Sequence, residues 1–67
     1  MRKLRQIRKE RKLTLKELEA ISGVDYSSIS RIEQGEYLPK LETLLKLARA
    51  LEVSITELLD EELEPVK

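Results

Sequence analysis

The segment Asp25–Gly35, which reads DYSSISRIEQG, carries hydrogen-bonding side chains at helical spacing. Three serines, a tyrosine and an arginine share these positions with only two aliphatic residues, Ile29 and Ile32. Hydroxyl groups donate and accept hydrogen bonds and a guanidinium donates them, whereas the commonest general base and metal ligand is histidine. The 67-residue chain contains no histidine and no cysteine. The segment therefore favours recognition by hydrogen bonding over catalysis or metal binding.

Charge is segregated along the chain, although the 13 basic and 13 acidic side chains cancel. Residues 1–16 carry eight basic side chains against the single acid Glu10, and residues 51–67 carry six acids against Lys67. Such segregation can give one face of a small protein a positive potential. The same charges also fit solvated helix faces, so charge alone leaves both interpretations open.

Neither a membrane span nor a signal peptide is predicted. No apolar run reaches the roughly 20 residues of a membrane-spanning helix. The basic amino terminus runs into Glu10 rather than into an apolar segment. We therefore expect a soluble, cytoplasmic protein.

The hydrophobic pattern predicts five short helices. Residues 2–11 form a thin amphipathic helix with a basic polar face. The sequence TLKE at 14–17 is a capping box that opens a second helix, which ends at Gly23. Asp25 caps a third helix, Tyr26–Gln34, and Gly35 ends it.

The fourth and fifth predicted helices follow a short loop, EYLP. Leucine and alanine at 44, 47, 48 and 51 follow the i, i+3, i+4, i+7 rule of an amphipathic helix. The sequence SITE at 54–57 repeats the capping-box pattern and opens a last helix, which is predicted to bury Ile55, Leu58 and Leu59.

Residues 15–34 have the pattern of a helix-turn-helix unit, in which a tight glycine turn joins two short helices. Leu18, Val24, Ile29 and Ile32 occupy the positions that would lock the two helices together at a steep angle. The pattern favours DNA binding, although other helical corners can produce it.

Residues 1–60 resemble the phage repressor and Cro family of helix-turn-helix regulators, called XRE-type. The segments IRKERKLT, GVDYSSISRIEQG, PKLETLLKLARAL and VSITELL stand in the family's order and spacing. The resemblance implies an all-α, compact five-helix domain of the lambda-repressor type with a central helix-turn-helix, here residues 1–63 followed by a tail, 64–67. It also implies a transcriptional regulator, most simply a repressor, that binds double-stranded operator DNA.

The resemblance makes Tyr26–Gln34 the recognition helix, which lies in the major groove. An arginine can pair bidentately with guanine, so Arg31 is the main expected discriminator between bases. The alternative for Tyr26 is an aromatic ring half-buried against the preceding helix. The four base-reading candidates are Tyr26, Ser27, Ser30 and Arg31.

Phosphate contacts are expected from the start of helix 2, the loop after helix 3 and the start of helix 4, because helix amino termini attract anions. For the two lysines, a solvated surface position is the alternative. The five candidates are Lys16, Ser28, Tyr37, Lys40 and Arg5.

Arg8 and Glu33 receive a structural role from the resemblance. In the family, the arginine and glutamate at these places form a partly buried ion pair that ties helix 1 to the end of helix 3. A buried charge is tolerated only when it is paired. We therefore expect Arg8 to support stability rather than to read DNA.

Four residues depart from the family pattern. Leu15 replaces a glutamine that often contacts phosphate and braces the recognition helix. Glu19 replaces a usual alanine, so either its carboxylate swings outward or the crossing of helices 2 and 3 opens. Lys12 replaces a glycine and would be strained in a left-handed conformation. Lys40 replaces a capping serine.

Partners are expected to be DNA, with a pseudo-palindromic operator, and a second copy of the chain; no cofactor, metal or small-molecule site is evident. The expected homodimer interface lies on the last helix, although Leu59 could equally be buried within one chain. The rival function is a protein-interaction module of the antitoxin or antirepressor-partner type, whereas an enzyme has almost no support. The interface candidates are Leu59, Leu63, Val53 and Ile55.

Overall fold

The computed structural model describes residues 1–59, which form five helices and no strand. The all-helical prediction is confirmed. The third helix stops one residue before the predicted end, because Gln34 is its carboxyl-terminal cap. The helices are α1 (Arg2–Glu10), α2 (Leu15–Ser22), α3 (Tyr26–Glu33), α4 (Leu41–Leu51) and α5 (Ile55–Leu58).

All five helices contribute to one apolar core. α2 packs on α3 and α4, α1 packs on α3 and α5, and α4 packs on α5. Full burial of one leucine or isoleucine side chain contributes about 1.5 to 3 kcal/mol. The four positions predicted to lock the helix-turn-helix are all buried. The largest fully buried side chains are Leu4, Leu18, Ile29, Ile32, Leu47, Leu51 and Leu58.

The first turn of α2 has both halves of the predicted capping box. The Thr14 hydroxyl accepts a hydrogen bond from the Glu17 amide at 3.0 Å, and the Glu17 carboxylate accepts one from the Thr14 amide at 2.8 Å. At α5, the Ser54 hydroxyl accepts from the Glu57 amide at 3.2 Å. These bonds satisfy amides that have no partner within the helix.

The last helix departs from its prediction. Leu58 is fully buried, but Ile55 and Leu59 are only partly buried against the core. α5 has four residues. The three side chains share one face of this turn, but the rest of the core fully covers only Leu58.

Within residues 1–59, four chain reversals use the left-handed backbone region, and two of them lack glycine. Gly23 and Gly35 have φ of 77° and 79°, whereas Lys12 and Glu52 both have φ of 58°. At Lys12, the Leu13 amide donates to the Arg8 carbonyl and the Lys12 amide to the Lys9 carbonyl, which is a Schellman motif. Lys12 does adopt the left-handed conformation in which strain was expected, whereas the sequence pattern did not indicate Glu52.

Replacing Lys12 with glycine is expected to raise the free energy of unfolding by about 0.5 to 1 kcal/mol. A left-handed lysine brings its Cβ too close to the backbone, and glycine removes that contact at the cost of a more flexible unfolded chain. Urea denaturation measures the change. The control is Lys46→Gly inside α4, where the same residue change should destabilise by about 1 kcal/mol. Equal losses in both variants would contradict the prediction.

Candidate nucleic-acid interface

Helix α3 has one buried face and one open face. Ile29 and Ile32 are fully buried. On the other side Tyr26 is 41% exposed, Arg31 is also exposed, and Ser30 is partly exposed. Positions 26 and 27 lie about one helical turn before positions 30 and 31, so the four side chains lie along one side of the helix. The structure thus brings all four base-reading candidates together on the surface.

Two carboxylates occupy the amino terminus of α3. Asp25 accepts hydrogen bonds from the Ser27 and Ser28 amides at 3.1 and 3.3 Å and from the Ser27 hydroxyl. Glu19 accepts from the Tyr26 amide at 3.1 Å. The first three amides of α3 therefore have acceptors within the protein. A phosphate contact by Ser28 would have to use its partly buried hydroxyl.

Glu19 is accommodated beside α3 by a hydrogen bond. Its carboxylate turns toward the amino terminus of that helix and accepts a hydrogen bond there. The partial positive charge of a helix amino terminus favours an anion at this place. An acidic side chain is therefore a stabilising neighbour for α3, although the family pattern has alanine.

Replacing Asp25 with alanine is expected to lower the melting temperature at pH 7, because the first turn of α3 loses its cap. Hydrogen bonds from the Ser27 hydroxyl, and from the Ser28 and Ser27 amides, lower the pKa of Asp25. A carboxylate with a lowered folded-state pKa stabilises the fold above its unfolded pKa, and the stabilisation is lost as pH falls through the folded pKa.

Thermal melts of the parent and Asp25→Ala from pH 7 down to pH 2 measure this dependence. The difference in melting temperature should shrink toward acid pH, and Asp25→Ser, which keeps a capping oxygen, should lose less. A difference that is constant with pH would contradict the role of the charged carboxylate.

Lys16 lies over the ring of Tyr26. Its Nζ is 4.5 Å from the ring centroid, which is the geometry of a cation–π contact. Both side chains are exposed. A candidate phosphate contact and a candidate base reader are therefore neighbours, and Tyr26 is neither buried against α2 nor isolated from it.

Arg8 and Glu33 form a buried, bidentate ion pair. Nε of Arg8 donates to Oε2 of Glu33 at 2.6 Å, and Nη2 donates to Oε1 at 3.1 Å. Nη1 donates to the Leu13 carbonyl at 2.7 Å. The two residues are 8% and 7% exposed. The hydrogen bond with Glu33, aided by the charge of that carboxylate and opposed by burial, raises the pKa of Arg8.

A cleft of about 350 Å³ lies beside this pair, between α1, the start of α2 and the end of α3. Arg5 is at its edge, and Leu15 supplies an apolar wall where a family glutamine would be polar. The Gln34 side chain donates to the Ser30 hydroxyl at 3.0 Å. Sequence reasoning missed Gln34, although its i+4 spacing from Ser30 could have indicated the contact. The lining residues are Arg5, Arg8, Leu15, Ser30, Glu33 and Gln34.

The loop between α3 and α4 is open to solvent. Tyr37 and Lys40 are exposed, and Lys40 precedes α4 without forming a side-chain cap. Leu38 and Leu41 are 61% and 63% exposed, and Leu45 follows on the same side of α4. Sequence reasoning did not single out these three leucines, because helical spacing alone does not show which leucines a neighbouring helix covers.

The residues predicted for a dimer interface are only partly open. Val53, Ile55 and Leu59 are each partly buried against the core of the same chain. Leu63 and the predicted boundary between residues 63 and 64 lie outside the described residues. Among residues 1–59, no helix has the length and apolar character needed to cross a membrane.

The geometry of α2 and α3 agrees with a family comparison. A family model described as "Helix-turn-helix" matches residues 4–58. The chain belongs to this helix-turn-helix family. Membership confirms the resemblance found in the sequence.

Two relatives of this chain are named as transcriptional repressors. The domain is 51% identical over 51 residues to the HTH-type transcriptional repressor RghR of Bacillus subtilis, covering 75% of this chain and 38% of that protein. It is 50% identical over 36 residues to the cryptic phage CTXphi transcriptional repressor RstR of Vibrio cholerae, covering 54% of this chain and 32% of that protein. The domain thus spans well under half the length of these curated relatives.

A solved structure has the same fold over most of its length. The restriction-modification controller protein C.AhdI of Aeromonas hydrophila superimposes with a TM-score of 0.81 at 35% sequence identity. The match covers 85% of this chain and 86% of that one.

Proposed function

We propose that this domain places α3 in the major groove of double-stranded DNA as part of a cytoplasmic transcriptional repressor, and that it acts by binding alone. The observation that carries the proposal is the open face of α3. Tyr26, Ser27 and Arg31 are exposed and Ser30 is partly exposed, while the opposite face anchors the helix in the core. Hydroxyl groups and an arginine on such a face match the donors and acceptors of base edges.

We further propose that Lys16, Tyr37, Lys40, Arg5 and the Ser28 hydroxyl contact phosphates around this helix. Lys40 is exposed at the amino terminus of α4, where no side chain caps the helix. Free amides and the partial positive charge of a helix amino terminus favour a phosphate oxygen. Contacts of this kind fix the position of the protein on DNA, whereas base contacts supply the specificity.

A homodimer on a pseudo-palindromic operator completes the proposal. A single eight-residue recognition helix reads few base pairs, and two half-sites roughly 34 Å apart would double the contacts. The proposed interface is the edge formed by Val53, Ile55 and Leu59, together with Leu63 outside the described residues. Val53, Ile55 and Leu59 retain apolar surface after packing on the core of their own chain.

Selection of bound duplexes from a random DNA library tests the function. We expect one enriched motif, with two inverted half-sites if the domain binds as a dimer. Enrichment of no motif at low salt would contradict the proposal and favour the protein-interaction alternative, for which the exposed leucines near the start of α4 provide apolar surface.

Replacing Lys40 with methionine is expected to weaken binding by a similar factor on every duplex and to reduce the slope of log K against log salt by about 0.9. The slope falls because, without the lysine, one DNA phosphate keeps its counterion when the protein binds. Titrations of the selected duplex at several salt concentrations measure the slope. Lys46→Met is the matched control, since Lys46 is an exposed lysine within α4 and its Nζ is 3.9 Å from Oε1 of Glu42. An unchanged slope for Lys40→Met would rule out this phosphate contact.

A further inference from the structure

We propose that Lys16 and Glu19 form a two-point clamp that positions Tyr26 for base reading. The inference rests on the proposed placement of α3 in the major groove. The clamp means that α2 contributes to the sequence specificity of binding, in addition to packing against α3. Lys16 and Glu19 act here as positioning residues, because they work through Tyr26.

The two points of the clamp hold different parts of Tyr26. The Glu19 carboxylate accepts a hydrogen bond from the Tyr26 backbone amide at 3.1 Å. The Lys16 ammonium lies 4.5 Å from the centroid of the Tyr26 ring. Residues three apart on a helix are neighbours on its surface, so both groups come from one side of α2. The backbone and the side chain of the first residue of α3 are thus both held from α2.

Tyr26 needs such support because the core does not fix its ring. The residue is 41% exposed and begins α3, so no preceding helical turn covers it. Leu15, which stands where a glutamine often braces the recognition helix, packs partly against the core and has no polar group to offer. Lys16 and Glu19 supply charged contacts one and four positions further along α2.

Positioning before binding affects discrimination as well as affinity. A side chain that is already ordered loses less rotamer freedom when it contacts a base. A cation–π contact at an exposed site corresponds to about a 2- to 5-fold change in an equilibrium constant. Loss of the clamp should therefore reduce the preference of the protein at one position of the half-site, namely the base pair that Tyr26 reads.

The first test concerns the free protein and needs no DNA. The ring of Tyr26 should shift the ε-methylene protons of Lys16 upfield in NMR spectra, relative to those of Lys46. Tyr26→Leu should remove the shift. Identical ε-methylene shifts for Lys16 and Lys46 in the parent would overturn the clamp.

The second test is a double-mutant cycle between Lys16→Met and Tyr26→Leu. Binding is measured to the selected duplex and to one altered at the base pair where Tyr26→Leu loses discrimination. In the parent background, Lys16→Met should reduce that discrimination about 2- to 5-fold, and Lys16→Arg, which keeps a cation, should retain it. In the Tyr26→Leu background, Lys16→Met should leave the discrimination between the two duplexes unchanged.

Glu19 is tested with a matched pair of variants. Glu19→Gln keeps an amide oxygen that can accept from the Tyr26 amide, so it should retain most of the discrimination. Glu19→Ala removes the acceptor and should lose part of it. Equal discrimination in the two variants would overturn the Glu19 point of the clamp. Circular dichroism of each variant checks that helix content is unchanged.

A purely electrostatic role for Lys16 gives a different result. Lys16→Met would then weaken both duplexes equally in both backgrounds. The salt slope falls by about 0.9 in either case, because Lys16 is also a proposed phosphate contact. Equal weakening of both duplexes overturns the clamp while α3 still reads DNA. Failure of the proposed function is distinguishable, because the parent itself would then show no preference between the duplexes and Arg31→Ala would change nothing.

Discussion

Replacing Arg8 with alanine is expected to lower the free energy of unfolding by about 3 to 5 kcal/mol. The variant leaves the Glu33 carboxylate buried without the guanidinium that now donates two hydrogen bonds to it. It also leaves the Leu13 carbonyl without the 2.7 Å donor that helps to close the end of α1. Such a loss is a large part of the 5 to 15 kcal/mol that typically stabilises a domain.

Urea denaturation followed by circular dichroism measures the effect. Arg49→Ala is the matched control, because Arg49 is an exposed arginine of α4 and its loss should change stability by no more than about 0.5 kcal/mol. The double variant Arg8→Leu/Glu33→Leu should recover much of the loss, since it leaves no single buried charge. Equal stability of Arg8→Ala and the parent would show that the pair is not structural.

Replacing Arg31 with alanine is expected to weaken binding to the selected duplex by about 1 to 3 kcal/mol, which is about 5- to 150-fold, and to relax the preference at one base pair. Arg31 is exposed in the last turn of α3. Its planar guanidinium can donate two parallel hydrogen bonds to the O6 and N7 atoms of guanine. Its removal should leave the fold intact.

Binding titrations on duplexes that differ at each position of the half-site locate the effect. Arg31→Lys is the informative control, because lysine keeps the charge but cannot form the bidentate pair. We expect Arg31→Lys to preserve the salt slope and to lose discrimination. A loss for Arg31→Ala that is equal on every duplex would instead assign Arg31 to a phosphate.

The helix boundaries followed closely from local sequence signals. Thr14, Asp25 and Ser54 all cap the helices they were predicted to cap, and Gly23 and Gly35 both take positive φ. These features depend on atoms only two to four residues apart. A short sequence window therefore contains the chemistry that decides them.

Contacts between helices were harder to predict from the sequence than the helix boundaries. The two alternatives for Glu19 remained open, because only the crossing of α2 and α3 decides where that carboxylate lies. The position of the Lys16 ammonium over Tyr26 depends on the same crossing. Likewise, the i, i+3, i+4 pattern gave the buried face of α4 but not the exposure of Leu41.

By itself, the sequence determined the five helices, the residues that anchor α3 in the core and the polar residues left on its open face. Helix periodicity and capping are local properties, so the order of residues fixes them. Only the tertiary structure decided where the charged groups of α2 lie against α3: Glu19 at the Tyr26 amide and Lys16 over the Tyr26 ring. Those contacts depend on the angle and spacing between packed helices, which many distant side chains set together.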